Sequence, residues 1–318
     1  MVHKMSQQMD SQMAAVIEEM DGNGIPDWST MSVQCARRVE DELFSRGGGT
    51  DVALVRDLEI EGEESDIPIR VYHPQTENPP VLVFYHGGGW TLGTLDSADN
   101  ICRELASRSQ CLVISVDYRL APEHPFPAAL NDTFSALKWA AEHADELGAD
   151  SDTLGVAGTS AGGNLAAATA LRAMETDLTV DGQFLLYPIT GVVRETESYV
   201  QHSDQPLLTR RDMQWFWDQY LEYPIQKHNP LAAVRRVSDP SGVAPAVVVT
   251  AGMDVLRDDG IEYAEKLEAS GVPTTHDHYP ALAHGFLSLT DEVDTADEAM
   301  DRLTNHIRSR LANSNREE

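Results

Sequence analysis

Cysteine is scarce in this chain: Cys35, Cys102 and Cys111 are the only three in 318 residues. They form no CxxC pair, which excludes the usual zinc-site and disulfide frameworks and predicts idle or buried thiols. Long apolar runs are missing too. No stretch approaches the ~20 apolar residues of a membrane helix, and the N-terminus MVHKMSQQMDSQMAAVIEEM lacks the apolar core of a signal peptide. A soluble, cytoplasmic protein without membrane insertion is expected. The third shortage is positive charge. The chain has 23 Lys and Arg against 52 Asp and Glu, a formal net charge of −29. Such a chain is a poor partner for nucleic acid or an anionic membrane.

The acidic residues are spread along the whole sequence, so they read as a solvated surface and not as an interaction tail. Their mutual repulsion strains a fold in dilute solution and is screened at molar salt, where the Debye length falls to about 3 Å. The composition resembles that of proteins from halophilic archaea, with many carboxylates and few lysines. An ordinary acidic protein is the alternative.

What is present is a regular alternation. Hydrophobic residues make up 42% of the chain, enough for one large core, and no low-complexity linker divides it. VRDLEIEG and IPIRVYHP read as an antiparallel hairpin. Short apolar runs then follow, at VLVFY, CLVISV, TLGVAG, GQFLLYP, APAVVVTAG and TTHDHYP, each the length of a buried strand. Helical patterns separate them near 97–109, 127–147, 161–175 and 259–270, with a last one near 292–312. This predicts an α/β fold with an eight-stranded, mostly parallel sheet covered by helices. Residues 1–48 and about 192–228 fall outside the alternation. We assign 49–318 to one main domain and the two exceptions to added structure around it.

Chemistry concentrates at strand ends. Gly158, Thr159, Ser160, Ala161 and Gly162 make a G-x-S-x-G turn between an apolar strand and an Ala-rich helix, the context in which a serine nucleophile is presented. The helix N-terminus beyond it favours negative charge. His86, Gly87, Gly88, Gly89 and Trp90 follow the strand VLVFY. Backbone N–H groups of such a loop, with that of Ala161, bind an oxyanion. A phosphate cradle is the other use of a Gly triplet, but neither nucleotide-binding glycine pattern accompanies it. His86 precedes the nucleophile, and holding the loop is its expected role.

The acid and base should follow on later strand ends, in that order. Asp254 comes directly after APAVVVTAG, and His284 after TTHDHYP. Asp258 and Asp259 are rivals for the acid, one helical turn on, where they suit a helix start. Candidate substrate contacts are Trp90, Trp215 and Phe286, the second from the aromatic group Trp215, Phe216, Trp217, Tyr220 and Tyr223. No metal or organic cofactor is required.

The motifs HGGGW, DYRLAPEHPFPAAL, GTSAGGN, LLYP, DVLRDDG and HGF lie in order over residues 86–286. Together they resemble the hormone-sensitive-lipase family of α/β-hydrolase esterases. The resemblance implies Gly88, Gly89 and Ala161 as oxyanion donors, with Gly87 as a further candidate, and Asp254 as the acid. Val255 stands where that family usually has proline, and GTSAGG where many members have GDSAGG. It also implies a helical cap built from the N-terminus and from the insertion after the sixth strand. The expected activity is hydrolysis of short- to medium-chain acyl esters, small molecules, by a chain free to form a homo-oligomer. An amidase or peptidase with the same triad, or a receptor that has lost catalysis, are the alternatives.

Overall fold

The computed structural model describes residues 9–22, 24–45 and 49–313. Eight strands form one sheet in the order β1-β2-β4-β3-β5-β6-β7-β8. They are β1 Leu54–Ile60, β2 Ile67–His73, β3 Pro80–Tyr85, β4 Leu112–Val116, β5 Asp150–Thr159, β6 Gly182–Leu186, β7 Ala246–Met253 and β8 Thr274–Ala283. β2 runs antiparallel to β1 and β4, and the remaining neighbours are parallel.

The helices are α1 Ser11–Gly22, α2 Val33–Phe44, α3 Asp99–Ser109, α4 Ala128–His143, α5 Ala161–Ala173, α6 Glu197–Gln201, α7 Arg210–Tyr220, α8 Arg257–Ala269 and α9 Asp294–Asn313. Every residue of β4 and β6 is buried, as continuous apolar runs covered on both faces require. Alternation within a strand divides the core in two. Val81, Val83 and Tyr85 of β3 pack with α4, α5 and α8, while Leu82 and Phe84 pack with α3 and α9.

The structure departs from the expected boundaries at β8. Its pairing with β7 is irregular between Ala251 and Met253 and resumes at Met253↔Ala283, so the strand continues past Pro280. That extension brings His284 to the tip of the strand.

The segments outside the alternation fold as helices and meet each other. Trp28 Nε1 donates to the Leu207 carbonyl (3.0 Å), and the Ser29 N–H donates to Asp212 Oδ1 (2.7 Å). Arg37 ties α2 to the sheet domain by donating to the carbonyls of Thr91 (2.9 Å) and Ala121 (3.0 Å), with Glu123 as its ion-pair partner. The boundary assigned at residue 48 lies outside the described residues.

A buried ion pair fixes the segment after β4. Asp132, 1% exposed, accepts from the Arg119 N–H (2.9 Å), from Nε (2.9 Å) and from Nη2 (2.8 Å). Removing the cation strands a carboxylate in the core. Arg119→Met is therefore expected to lower the unfolding free energy by about 3–5 kcal/mol. Arg210→Met, which breaks an exposed pair with Glu195, should leave the urea midpoint where it was. Equal midpoints for all three proteins in urea unfolding would contradict this account.

Candidate active site

Ser160 occupies the turn between β5 and α5 at φ 54°, ψ −113°, a conformation that non-glycine residues rarely adopt. Its neighbours hold it there. The Ser160 N–H donates to the Leu186 carbonyl (2.8 Å), and its own carbonyl accepts from the Ile189 N–H (3.1 Å). The flanking glycines are steric necessities: a Cβ on Gly158 would lie 2.3 Å from the Gly162 backbone, and one on Gly162 only 1.9 Å from the Tyr85 carbonyl oxygen.

Strand ends bring two further residues to the serine. His284 Nδ1 donates to Asp254 Oδ2 at 2.7 Å, because a carboxylate can only accept. That leaves Nε2 to accept from Ser160 Oγ at 3.0 Å. Asp254 is buried at the end of β7, and its Oδ1 accepts from the Leu256 N–H (2.9 Å). The edge of Tyr187 packs on the His284 ring at 5.0 Å.

The rival groups lie elsewhere. Asp258 Oδ2 accepts from the Ser198 N–H (2.7 Å), and Asp259 pairs with Arg194 (2.8 Å). Burial pushes the Asp259 carboxyl up to about 6 against the pull of Arg194. His276 and His278 both meet the hydroxyl of Thr250, at 2.8 Å each.

The glycine loop faces the same turn. Gly88 and Gly89 have φ of 96° and 58°, and a Cβ on either would collide, with the Leu92 carbonyl or with the Phe216 ring. Among the described residues none accepts from the N–H of Gly88, Gly89 or Ala161. Gly87 packs on the Ser160 turn, where its Cβ would lie 3.6 Å from the Ser160 Cβ. Its carbonyl accepts from His86 Nδ1 (2.8 Å), and the His86 ring stacks on Tyr118 at 4.2 Å. Burial pulls the His86 imidazole down to about 4, so it is neutral in ordinary buffers. His86 is thus part of the frame of the loop, as its position before the nucleophile implied.

A cavity of about 150 Å³ opens beside Ser160 and His284. Its wall is mixed in origin: Gly87, Gly88 and Gly89 from the loop, and Met20, Trp28, Glu40, Phe44, Leu208 and Phe216 from the added segments. The expected contacts Trp90, Trp215 and Phe286 do not line it. Trp90, at φ 58°, turns inward and stacks on Tyr220 at 4.0 Å. Trp215 stands edge-on to Phe216, partly exposed, and Phe286 is buried between Tyr187 and Tyr279. Sequence reasoning named Phe216 within the aromatic group without selecting it, and missed Glu40. Helical periodicity holds the signal for both, since Met213, Phe216, Trp217 and Tyr220 share the buried face of α7, as Ala36 and Glu40 share that of α2.

Residues 82–288 match a protein-family model described as an alpha/beta hydrolase fold. The chain is 44% identical over 243 residues to the carboxylic ester hydrolase LipN of Mycobacterium tuberculosis, covering 74% of this chain and 65% of that protein. It is 42% identical over 248 residues to the carboxylesterase NlhH of the same organism, 75% of this chain and 76% of that one. Among solved structures, the ester hydrolase EH1AB1 from the Lake Arreo metagenome superimposes with a TM-score of 0.91 at 34% identity, over 96% of this chain and all of that one. The chain belongs to the hormone-sensitive-lipase-like family of α/β-hydrolase esterases. Among the described residues, no helix is long and apolar enough to cross a membrane.

Glu40 yields a test of the cavity's electrostatics. Burial raises its carboxyl from 4.5 to about 7, helped by repulsion from Asp41 and opposed by hydrogen bonding from Ser97 and the Gly93 backbone. The folded pKa exceeds the unfolded one, so the contribution of protonated Glu40 is complete below pH 4.5 and is lost as pH rises through about 7. Glu40→Gln does not titrate. Its melting temperature should gain on the parent between pH 5 and pH 8, by a free energy on the order of 3 kcal/mol at most. A constant difference across that range would show that the carboxyl is not desolvated.

Proposed function

We propose that this chain is a serine carboxylesterase of short- to medium-chain acyl esters. The observation that carries the reading is the continuous hydrogen-bonded chain from Ser160 Oγ through His284 to the buried Asp254, beside three N–H groups without partners among the described residues. In this mechanism His284 Nε2 takes the proton of Ser160 as Oγ attacks the ester carbonyl. Gly88, Gly89 and Ala161 donate to the resulting oxyanion. The tetrahedral intermediate then collapses, the C–O bond to the alcohol breaks, and the imidazolium returns the proton to the leaving oxygen. Water, deprotonated by the same nitrogen, releases the acid and restores Ser160. Asp254 holds the tautomer and stabilises the imidazolium throughout.

Two observations support esters of modest size. The cavity is small and mostly apolar, and the helices around it come from segments outside the sheet. The named relatives are ester hydrolases, which favours that label over amidase. A receptor without catalysis would have no need of the strain kept at Ser160.

The test is hydrolysis of p-nitrophenyl esters from acetate to laurate, with a p-nitroanilide beside them. Activity should peak among the shorter chains, and Ser160→Ala should lower kcat/KM by about 10⁴-fold or more. Asp254→Asn, which permits the wrong tautomer, should lose about 10⁴-fold with little change in KM. Comparable turnover of the anilide would make the esterase label too narrow, and an active Ser160→Ala would remove the nucleophile.

The surface suggests where this chemistry operates. We read the net charge of −29 as an adaptation to a saline cytoplasm, of the kind found in halophilic archaea. Thermal melting in dilute buffer and in molar potassium chloride decides this: screening should raise the melting temperature strongly. A melting temperature independent of salt would identify an ordinary acidic protein.

A further inference from the structure

Glu40 breaks the pattern of the helix that carries it. Ala36 and Glu40 lie one turn apart on the buried face of α2, and Phe44 one turn further on. Glu40 is only 8% exposed, lines the cavity with Ser160 and His284, and has a buried Oε2 that finds no hydrogen-bond partner among the described residues. Met20, Trp28, Phe44 and Ile101 also line this cavity and are apolar, while Ser97 and the Gly93 backbone are the hydrogen-bonding neighbours of the carboxyl. A carboxyl in this place costs free energy that a leucine would not. Packing alone therefore does not account for it, and residues that break local rules tend to mark functional sites.

We propose that Glu40 is a specificity-determining residue that hydrogen-bonds a hydroxyl on the chain of the bound ester, so that hydroxy-substituted esters are preferred over plain alkyl ones. This assignment rests on the reading of Ser160 as an esterase nucleophile. The hydroxyl follows from the chemistry of the carboxyl. Its buried Oε2, without a hydrogen-bond partner among the described residues, can act as the donor of a carboxylic acid or as the acceptor of a carboxylate. A hydroxyl accepts from the first and donates to the second, whereas an ether or ketone serves only the acid and an ammonium only the carboxylate.

The experiment compares methyl hexanoate with its counterparts bearing a hydroxyl on the third or fifth carbon, and with the counterpart bearing a terminal amine. The proteins are the parent, Glu40→Gln and Glu40→Leu, and kcat/KM is read for each pair. At least one hydroxylated ester should match or exceed the plain one in the parent. Glu40→Leu should shift that ratio about tenfold toward the plain ester, the scale of one hydrogen bond, and Glu40→Gln should keep it within about threefold. If circular dichroism shows Glu40→Leu unfolded, Glu40→Met takes its place under the same criteria.

An unchanged ratio in the apolar variant overturns the assignment and leaves the esterase reading standing. So does a parent that prefers the plain ester over every hydroxylated one by more than about tenfold, or a larger preference for the amine that vanishes in Glu40→Leu. A parent that hydrolyses none of these esters, nor the p-nitrophenyl series, removes the esterase reading and this assignment with it.

Discussion

Helix α5 starts against the carbonyl end of β3 with no room for a single carbon between them. Gly162 is the point of contact, and the Tyr85 and His86 carbonyls are what it touches. This one approach sets two things at once. It forces the tight turn that gives Ser160 its positive φ, and it places the first turn of α5 beside the loop that follows β3. The Ser160 turn and the glycine loop are therefore fixed relative to each other by backbone, which is stiffer than any side-chain contact. The strained serine is one expression of that constraint, and the collision-prone Gly88 and Gly89 are another.

A second layer keeps the loop in place from behind. Tyr118 donates its hydroxyl to the His86 carbonyl (2.9 Å), and the Ala121 N–H donates to the Trp90 carbonyl (2.9 Å). The Phe126 N–H reaches the Tyr220 carbonyl on α7 (2.8 Å), while Arg119 is anchored to the buried Asp132. The run DYRLAPEHPFPAAL thus works as a brace between loop, sheet and added helices. Its chemistry is structural: neutral His86, stacked and buried, supplies shape and one hydrogen bond, and takes no proton in ordinary buffers.

Much of this was legible in the sequence because period and order survive without a structure. Strands buried on both faces must be apolar throughout, so those at the centre of the sheet stood out, and residues that end strands in a parallel sheet share one edge. Ser160, Asp254 and His284 were readable for that reason. The contacts of the cavity were not. Whether Trp90 enters the cavity or leaves it depends on the sign of its φ, which neighbouring glycines permit but do not dictate. Phe286 sits two residues from His284, yet the left-handed Gly285 between them turns it into the core. Nearness in sequence to His284 carried no information about facing it.

The difference follows from where the two kinds of group reside. The groups assigned to the reaction hang from strand ends and a helix start, inside one hydrogen-bonded sheet whose geometry is shared by proteins with a third of the residues in common. The groups that shape the cavity hang from α1, α2 and α7, which join the sheet domain through Arg37, the stacking of Tyr220 on Trp90 and buried apolar contacts, and join each other through Trp28, Ser29 and Asp212. A substitution in that roof alters packing and polarity without disturbing the turn at Ser160. Reaction and selectivity can therefore vary independently in this architecture. An apolar roof needs no carboxyl, so Glu40 reports on what this chain binds and not on how its serine is held.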